Sequence, residues 1–278
     1  MSKIDLASPV VKWVGGKRQL LDRLMPLFPE TYTSYCEPFI GGGAVLFALQ
    51  PQKAIINDIN SELIGVYRAI KNDVDALIKR LAQFENTKEC FYDVRSWDRN
   101  AEVYNQLTDI DKAARVIFLN KTCYNGLYRV NSAGEFNTPF GRYKNPNIVN
   151  ENTLRAVNEY FNTADVTILN TSYSQAVQGL PEDSFVYLDP PYDPISVTAS
   201  FTGYNAGGFS RTDQIALRDC CRQLDAAGIK FMLSNSATEF IQDIYSDFNI
   251  TIVPAKRAIN SVGSKRGCVD EVVVRNYV

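Results

Sequence analysis

The chain contains no histidine among its 278 residues. Histidine is the most common metal ligand in proteins and the usual general base near neutral pH. Its absence excludes imidazole catalysis and histidine-based metal centres. Any chemistry that this protein performs must use other groups, and we expect no metal cofactor.

Cysteine motifs and long apolar runs are also missing. The six cysteines form no C-x-x-C pair, and only Cys220 and Cys221 are close in sequence, so neither a zinc site nor a disulfide framework is indicated. No apolar run approaches the ~20 residues that a membrane span needs, and the amino terminus lacks the apolar core of a signal peptide. These absences predict a soluble, cytoplasmic protein with no membrane partner.

A strong excess of one charge is absent too. The 29 basic and 31 acidic residues leave a net charge of −2, which gives no overall argument for a nucleic-acid partner. A basic surface, if there is one, must be local. The hydrophobic content of 45% and the charged content of 22% are ordinary for a globular protein. The length allows one large α/β domain with an insertion, or two smaller domains.

The most informative segment is residues 185–192, where an apolar run ends on the tetrapeptide D-P-P-Y. Residues 185–188 are typical of a buried strand, and the prolines end it because they lack a backbone N–H and have a fixed φ. Asp189 then lies at the carboxyl end of the strand, where open α/β sheets bind ligands. An Asp-Pro-Pro turn alone is more often structural, so a functional interpretation depends on the rest of the chain.

A glycine-rich turn at residues 41–43 follows a short predicted strand and precedes a buried helix at 44–49, after which a second strand ends beside Asp58. Asp58 lies seventeen positions after Gly41, close to the spacing at which an acidic side chain binds a nucleotide ribose. The third spaced glycine of a dinucleotide site is missing. This favours S-adenosylmethionine, which has no phosphates, and makes Lys17 a candidate for binding its carboxylate; a purely structural turn is the alternative.

The alternation of strands and helices is interrupted between residues 61 and 150. Helical patterns at 62–81 and 109–120 are followed there by a polar, glycine- and asparagine-rich stretch. We therefore predict a catalytic domain from residues 1–60 and 151–278 and an inserted, mainly helical domain at 61–150. The other predicted elements are a helix at 19–28, strands at 166–169, 185–188 and 230–233, and an edge hairpin of strands at 250–253 and 271–275 that turns at 263–267.

Six motifs occur in order along the chain: K-W-V-G-G-K at 12–17, E-P-F-I-G-G-G at 37–43, N-D-I-N at 57–60, Y-N-G-L-Y-R at 124–129, G-E-F-N-T-P-F-G-R-Y at 134–143 and D-P-P-Y at 189–192. Together they resemble the Dam-type DNA adenine-N6 methyltransferases. The resemblance runs from residue 12 to the carboxyl terminus. Within the family the chain looks most like the DpnM group of GATC methylases.

The resemblance implies an α/β fold with a seven-stranded, mostly parallel, Rossmann-like methyltransferase sheet, and makes the 61–150 insertion the target-recognition domain. It implies transfer of a methyl group from S-adenosylmethionine, which becomes S-adenosylhomocysteine, to N6 of adenine in double-stranded DNA at GATC. The base would be flipped into a D-P-P-Y pocket. One departure is the sequence N-T-S-Y at 170–173, where many relatives carry an acidic residue.

The candidate catalytic residues lie in the D-P-P-Y tetrapeptide. Adenine N6 is a poor nucleophile because its lone pair is delocalised into the ring, so the enzyme must accept hydrogen bonds from both N6 hydrogens. We predict that the Asp189 carboxylate and the Pro190 carbonyl accept them, and that Tyr192 stacks on the flipped base. The cofactor-binding residues that we predict are Trp13, Lys17, Glu37, Phe39, Gly41, Gly43, Asp58 and Asp189.

A local basic stretch with interleaved aromatic residues lies in the predicted insertion. Such a pattern suits phosphate and base contacts, although a short basic cluster is more usually a solvated surface. By resemblance Arg129 would read a guanine through O6 and N7, and Tyr124 would insert into the base stack. The predicted DNA-binding residues are Lys12, Tyr124, Asn125, Leu127, Arg129, Pro139 and Arg142, with Leu127 and Pro139 at thymine methyl groups and Arg142 at a phosphate.

Other functions fit parts of the sequence. An RNA or protein methyltransferase could share the D-P-P-Y corner, and double-stranded DNA as the sole accepted substrate would exclude it. A DNA-binding module without turnover is disfavoured by the intact motifs, and a nicotinamide-dependent dehydrogenase by the missing third glycine and the missing histidine. A separate cognate restriction endonuclease is an open possibility as a partner.

Overall fold

Seven strands form one sheet in this computed structural model, which describes residues 3–194, 208–256 and 268–278. The strands are β1 (Tyr35–Glu37), β2 (Lys53–Asn57), β3 (Asp165–Leu169), β4 (Phe185–Leu188), β5 (Lys230–Ser236), β6 (Asn249–Lys256) and β7 (Cys268–Arg275). Their order across the sheet is β3-β2-β1-β4-β5-β7-β6. Strands β1 to β5 pair in parallel, whereas β7 runs antiparallel to both β5 and β6.

The predicted seven-stranded, mostly parallel α/β sheet is confirmed, and so is the antiparallel pairing of the last two strands. Strand β7 lies between β5 and β6, so the pair is joined to the sheet through its second strand. The predicted turn at 263–267 lies outside the described residues. Two separate segments of chain build the sheet, as expected, because β1 from the first segment pairs with β4 from the second.

The centre of the sheet is the point where the strand order reverses. From β1 the chain proceeds outward through β2 to β3, whereas from β4 it proceeds outward to β5 on the other side. Every residue of β1 and β4 is buried, which explains the continuous apolar sequence of β4. Strand β1 is also buried but ends on Glu37. The carboxyl ends of these two neighbouring strands border a crevice, the usual ligand site of such sheets.

Eleven α-helices lie in the described part of the chain, and among them none combines the length and apolar character of a membrane span. Two predicted helices are interrupted. The pattern at 19–28 gives only one helical turn between two 3₁₀ turns, the second of which contains Pro26, a residue without a backbone donor. The helices are α1 (Leu21–Leu24), α2 (Ala44–Leu49), α3 (Ser61–Asn72), α4 (Val74–Leu81), α5 (Lys88–Ser96), α6 (Ala101–Gln106), α7 (Asp109–Thr122), α8 (Glu151–Thr163), α9 (Tyr173–Ala176), α10 (Arg211–Ala226) and α11 (Glu239–Ile244).

The second interruption separates α3 from α4 at Asp73, whose carboxylate caps α4 by accepting a hydrogen bond from Ala76 N at 3.0 Å. Helix α3 packs directly on the sheet, and Lys71 Nζ donates to the Val166 carbonyl of β3 at 2.5 Å. One hydrophobic core includes side chains of α3, α7 and the sheet. The first helix of the 61–150 segment therefore shares its core with the sheet, and the division into two domains stays a prediction.

Candidate functional site

A small cavity lies at the carboxyl ends of β1 and β4. It is lined by residues 14–17, Glu37, residues 40–45 and Asp189. These residues come from three of the motifs that the sequence analysis singled out, at 12–17, 37–43 and 189–192. The fold thus brings together segments that are far apart in sequence, at the position expected for a ligand in this type of sheet.

Lys17 and Asp189 form an ion pair in this cavity. Lys17 Nζ lies 2.8 Å from Asp189 Oδ1, with 4% of the lysine and 17% of the aspartate side chain exposed. Nζ also donates to the Gly15 carbonyl at 2.7 Å. Because an ammonium group has three N–H donors, two acceptors leave one donor for a further oxygen.

The Asp189 carboxyl group titrates close to neutral pH. Burial raises its pKa to about 6. The Lys17 ammonium lowers this pKa, whereas the Glu271 carboxylate raises it. At neutral pH most of the Asp189 carboxyl groups are therefore ionised and can accept hydrogen bonds on both oxygens.

Tyr192 lies next to the ion pair. Lys17 Nζ is 4.7 Å from the centroid of the Tyr192 ring, within the range of a cation–π contact. The Tyr192 hydroxyl donates to Glu271 Oε2 at 2.7 Å. Burial raises the pKa of Tyr192 well above its ordinary value, so the phenol stays protonated. Both contacts hold the ring at the crevice, and stacking of this ring on a base stays a prediction.

The glycine turn has a conformation that other residues would adopt only with strain. Gly41 and Gly43 have φ angles of +47° and +74°, in the left-handed region. A Cβ at Gly43 would lie 2.8 Å from Phe47 Cε2, too close for nonbonded carbon atoms. The Tyr67 hydroxyl of α3 donates to the Gly41 carbonyl at 2.7 Å. The turn is thus held by both the chain conformation and its neighbours.

Asp58, directly after β2, binds this turn. Its Oδ2 accepts a hydrogen bond from Gly41 N at 3.1 Å, and its Oδ1 accepts one from Asn60 N at 2.9 Å. Burial raises the pKa of Asp58, and these backbone donors oppose the shift. Each carboxylate oxygen can accept another hydrogen bond. The structure therefore brings Gly41 and Asp58 together and leaves the carboxylate with acceptor capacity for hydroxyl groups.

Glu37 and Phe39 lie at the end of β1 in unlike surroundings. Glu37 is buried and accepts a hydrogen bond from the Tyr35 hydroxyl at 2.6 Å. Burial raises the pKa of Glu37 well above its ordinary value. Phe39 is half-buried and stacks on Tyr173 at a centroid distance of 5.3 Å, and Phe209 meets it edge-on at 6.2 Å. This aromatic group is a surface on which a flat ring can stack.

The N-T-S-Y departure at 170–173 has a structural role. Ser172 is the N-cap of α9, and its hydroxyl accepts a hydrogen bond from Gln175 N at 3.3 Å. Asn170 Nδ2 donates to the Asp58 carbonyl at 2.8 Å. Both side chains thus bind the protein's own backbone.

Asn57 is a site residue that sequence reasoning missed. Its side-chain Nδ2 donates to the Pro38 carbonyl at 2.9 Å and to the Thr171 carbonyl at 3.0 Å, and its Oδ1 accepts from Thr171 N at 2.9 Å. One buried amide therefore joins the loops that follow β1, β2 and β3. Its place at the start of the N-D-I-N motif is a signal in the sequence, but it does not identify these partners.

Lys12 is held beside residues 124–126 by a second missed residue, Asn120. Lys12 N donates to Asn120 Oδ1 at 2.8 Å, and Asn120 Nδ2 donates to the carbonyls of Lys12 at 2.8 Å and Gly126 at 3.1 Å. A Cβ at Gly126 would lie 2.9 Å from Lys12 Cδ. Gly126 also has a φ of +64°, in the left-handed region that favours glycine.

Six of the seven predicted DNA-binding residues lie on one loop, residues 123–142, which two isolated β-bridges hold together. Tyr124 N donates to the Pro139 carbonyl at 2.8 Å. Arg129 Nε donates to Asn137 Oδ1 at 2.8 Å. Tyr124 is 59% exposed. None of the seven is buried: Lys12, Tyr124, Arg129, Pro139 and Arg142 are exposed, and Asn125 and Leu127 are half-buried.

A buried ion pair holds the 123–142 loop on the helices. Arg115 of α7 is buried and lies 2.5 Å from Asp98 Oδ2. The same oxygen accepts a hydrogen bond from Phe136 N at 2.7 Å, and Arg99 donates to the Phe136 carbonyl at 2.6 Å. Asp98 thus connects the loop to α7 through two charge-assisted contacts.

Trp13 lies between the glycine turn and the 123–142 loop. Its ring stacks on Tyr128, with centroids 4.8 Å apart and an interplanar angle of 25°. Its Cδ1 is 3.2 Å from the position that a Cβ at Gly41 would take. One indole ring therefore lies against both the glycine turn and Tyr128 of the 123–142 loop.

Comparisons with known proteins agree on one family. The profile of the family described as "D12 class N6 adenine-specific DNA methyltransferase" matches residues 13–259. The chain is 46% identical to the Type II methyltransferase M1.LlaDCHI of Lactococcus lactis subsp. cremoris, over 99% of this chain and 97% of that one. It is 43% identical to the Type II methyltransferase M.MjaIII of Methanocaldococcus jannaschii, over 97% and 99%. It is 33% identical to a DNA adenine methylase of Vibrio cholerae, over 95% and 94%.

Proposed function

Since the chain belongs to the D12 class of N6 adenine-specific DNA methyltransferases and is an adenine-specific DNA methyltransferase, we propose that it methylates N6 of the adenine in double-stranded GATC. The observation that carries the proposal for the site is the ionised Asp189 at the crevice between β1 and β4. The target base is flipped out of the duplex to reach it, because stacking in the duplex hides N6 from an enzyme.

The methyl donor in this proposal is S-adenosylmethionine, which supplies an electrophilic methyl group on its sulfonium when bound. The residues of the cavity suit it. The left-handed glycine turn keeps side chains away from the cavity, Asp58 has acceptor capacity for ribose hydroxyls, and Lys17 has one N–H left for a carboxylate. The residues that would hold the cofactor are Trp13, Lys17, Glu37, Phe39, Gly41, Gly43, Asp58 and Asp189.

In the proposed reaction the D-P-P-Y corner prepares the adenine amine. The Asp189 carboxylate and the Pro190 carbonyl accept hydrogen bonds from the two N6 hydrogens, which draws the nitrogen lone pair out of conjugation with the ring. The ring of Tyr192 stacks on the flipped base. Catalysis then depends on positioning and on electrostatic stabilisation of the positive charge that develops on N6.

We propose that residues 61–150 carry target recognition. Arg129 would donate to guanine O6 and N7, the commonest specific contact in the major groove. The Arg129 Nε bond to Asn137 suits this role, because it orients the guanidinium while its two terminal nitrogens stay available to a base. Tyr124 would enter the base stack, Leu127 and Pro139 would contact thymine methyl groups, and Lys12, Asn125 and Arg142 would complete the interface.

The test is transfer of labelled methyl groups from S-adenosylmethionine to two duplexes that differ only at the central A·T pairs of one GATC site. The proposal expects label in the GATC duplex alone. Label in both duplexes would contradict the target sequence but retain the chemistry. Single-stranded RNA of the same sequence serves as a control for the RNA alternative.

The relatives named Type II methyltransferases suggest a partner. We propose that this enzyme protects its target against a separate restriction endonuclease with the same recognition sequence. The test is digestion of DNA from cells that express the chain with an endonuclease that cuts only unmethylated GATC. Complete digestion would contradict this protective role.

A further inference from the structure

A buried network of side-chain amides lies behind the D-P-P-Y corner. Gln214 of α10 is 0% exposed, and its Nε2 donates to the Pro191 carbonyl at 2.9 Å. Its Oε1 accepts a hydrogen bond from Asn235 Nδ2 at 3.0 Å. Asn235 of β5 is also 0% exposed, and its Oδ1 accepts from Asp193 N at 3.1 Å. The two amides thus connect α10 and β5 to the residues on either side of Tyr192, namely Pro191 and Asp193.

The two prolines of the corner cannot anchor it through backbone donors. Pro190 and Pro191 have no backbone N–H, so neither residue can join the sheet as a donor. The proline rings fix φ at both positions, which leaves the two ψ angles as the soft torsions of the turn. The Gln214 bond restrains the Pro191 carbonyl, and the Asn235 bond restrains the peptide that follows Tyr192. Together the rings and the amides restrain the orientation of the corner.

Asp193, the residue that follows the corner, is also restrained by hydrogen bonds. Asp193 is a buried carboxylate that accepts hydrogen bonds from Arg211 at 3.1 and 3.2 Å and from the Thr238 hydroxyl at 2.8 Å. The Ser236 hydroxyl donates to the Asp193 carbonyl at 2.5 Å. Because a buried charge requires compensation of this kind, residue 193 cannot shift without loss of these bonds. The hydrogen bond from Asp193 N to Asn235 therefore involves a residue whose position is already restrained.

We propose that Gln214 and Asn235 are positioning residues for methyl transfer. This inference rests on the proposed function of Asp189 and Pro190 as acceptors of the N6 hydrogens. By holding the Pro191 carbonyl away from the crevice, the two amides keep the Asp189 carboxylate and the Pro190 carbonyl oriented toward the target amine. A misplacement of about 1 Å at such groups lowers a reaction rate by about 100-fold.

The first test uses Gln214→Glu and Asn235→Asp, which keep the shape of each side chain and replace the donating NH₂ by an oxygen. The measurements are the single-turnover rate of methyl transfer to a GATC duplex, the dissociation constants of cofactor and duplex, and the thermal midpoint. We expect the rate to fall about 10- to 100-fold. Both dissociation constants should stay within about 3-fold of the wild-type values, since neither amide lies in the contact surfaces.

The matched control is Asn276→Asp, at the opposite end of β5. Asn276 is half-buried and makes a similar amide bridge: it accepts from Phe231 N at 2.8 Å and donates to the Ile229 carbonyl and the Asp225 carboxylate, each at 2.9 Å. It should lower the thermal midpoint and leave the transfer rate unchanged. Equal losses of rate in the control and the two test variants would overturn the proposal, as would wild-type rates in Gln214→Glu and Asn235→Asp.

Gln214→Asn is the second variant, because it retains a buried neutral amide and is one methylene too short for both partners. If Gln214→Glu does not fold, Gln214→Asn takes its place in the test. We expect it to show a loss of transfer rate of the same size. Fluorescence of 2-aminopurine at the target position separates the steps: we expect normal base flipping with slow transfer. Failure of the proposed function has a different signature, namely a wild-type enzyme that transfers no methyl group to the GATC duplex.

Discussion

At the scale of single residues, Lys17 is the positive charge that pairs with the proposed acceptor Asp189. It lies 2.8 Å from the carboxylate and 4.7 Å from the ring of Tyr192. The ammonium therefore stabilises the ionised form of Asp189 against the opposing effects of burial and of Glu271. Lys17 therefore lies between the proposed cofactor site and Tyr192, the residue proposed to stack on the base.

The pH dependence of methyl transfer follows from this pair. The ionised carboxylate accepts an N6 hydrogen bond more strongly than the neutral acid does, and burial raises the pKa of Asp189 to about 6. The rate should therefore increase as the pH rises through about 6 and reach a plateau above about 7. The measurement is the single-turnover rate at saturating cofactor and duplex.

Lys17→Met should shift this acid limb to higher pH, because the pKa of Asp189 rises when the positive charge is removed. The cofactor concentration must be raised to keep the variant saturated. Arg18→Met, which removes an exposed positive charge next to Lys17 in sequence, is the control and should keep the wild-type profile. An unchanged acid limb in Lys17→Met would contradict the electrostatic role of Lys17.

Asp189→Asn removes the ionised acceptor and retains the size of the side chain. It should reduce methyl transfer by at least about 100-fold, the usual magnitude for loss of a well-placed polar catalytic group. The duplex should still bind, because the predicted DNA contacts are elsewhere. Filter binding and single-turnover assays measure the two effects separately, and substantial residual turnover would remove Asp189 from its role.

Gly43→Ala tests the left-handed turn. Alanine at a φ of +74° is destabilised by about 1–2 kcal/mol, and its Cβ also meets Phe47 at 2.8 Å. Gly179→Ala is the control, since Gly179 has a φ of +70° and no atom within 4 Å of an added Cβ. Denaturation should show the larger loss for Gly43→Ala, together with weaker cofactor binding.

At the scale of elements, the 123–142 loop has almost no regular secondary structure and depends on side chains of the helices. Asp98 binds both Arg115 and the Phe136 backbone, and Asn120 binds the backbone of Lys12 and Gly126. These contacts explain how an irregular loop can present side chains in a defined arrangement.

Asp98→Ala should be severely destabilising. It leaves Arg115 buried beside Glu62, whose Oε2 is 3.6 Å away, without its 2.5 Å partner. Removal of one partner of a buried pair typically lowers the free energy of unfolding by about 3–5 kcal/mol. Asp75→Ala removes an exposed carboxylate that pairs with Arg155 and should change stability by less than about 1 kcal/mol. Chemical denaturation compares the two.

Arg129→Ala tests base reading by the loop. It should reduce discrimination at one base pair of the site by about 1–3 kcal/mol. Arg155→Ala, which removes an arginine of helix α8 outside the 123–142 loop, is the control and should leave base discrimination unchanged. Competition between GATC and singly substituted duplexes measures both. Unchanged preference at all four positions would contradict the assignment of Arg129.

At the scale of the whole molecule, the catalytic sheet and the 61–150 segment share one hydrophobic core. Helix α3 contributes the Tyr67 hydroxyl to the glycine turn and the Lys71 ammonium to β3. The ring of Trp13, which lies beside the glycine turn at 41–43, stacks on Tyr128 of the 123–142 loop. The proposed cofactor and DNA sites therefore lie on one continuous packed structure.

The sequence was sufficient for those features that depend on local patterns. A continuous apolar run predicts the buried strand β4, and two prolines predict its end. The spacing of Gly41 and Asp58 predicts their nearness across a β-α-β unit. Each of these follows from periodicity, chain stiffness or short separation in sequence. The collinear motifs added the family, which the comparisons confirm.

Only the tertiary structure decided which polar side chains support the site. Asn57, Asn120, Gln214 and Asn235 are ordinary residues in the sequence, and their partners lie up to 114 positions away. Whether a buried amide finds a carbonyl depends on strand order, helix packing and loop path together, so no local pattern encodes it. Local sequence patterns therefore predict which residues lie at the crevice. The hydrogen bonds that orient these residues depend on the tertiary structure.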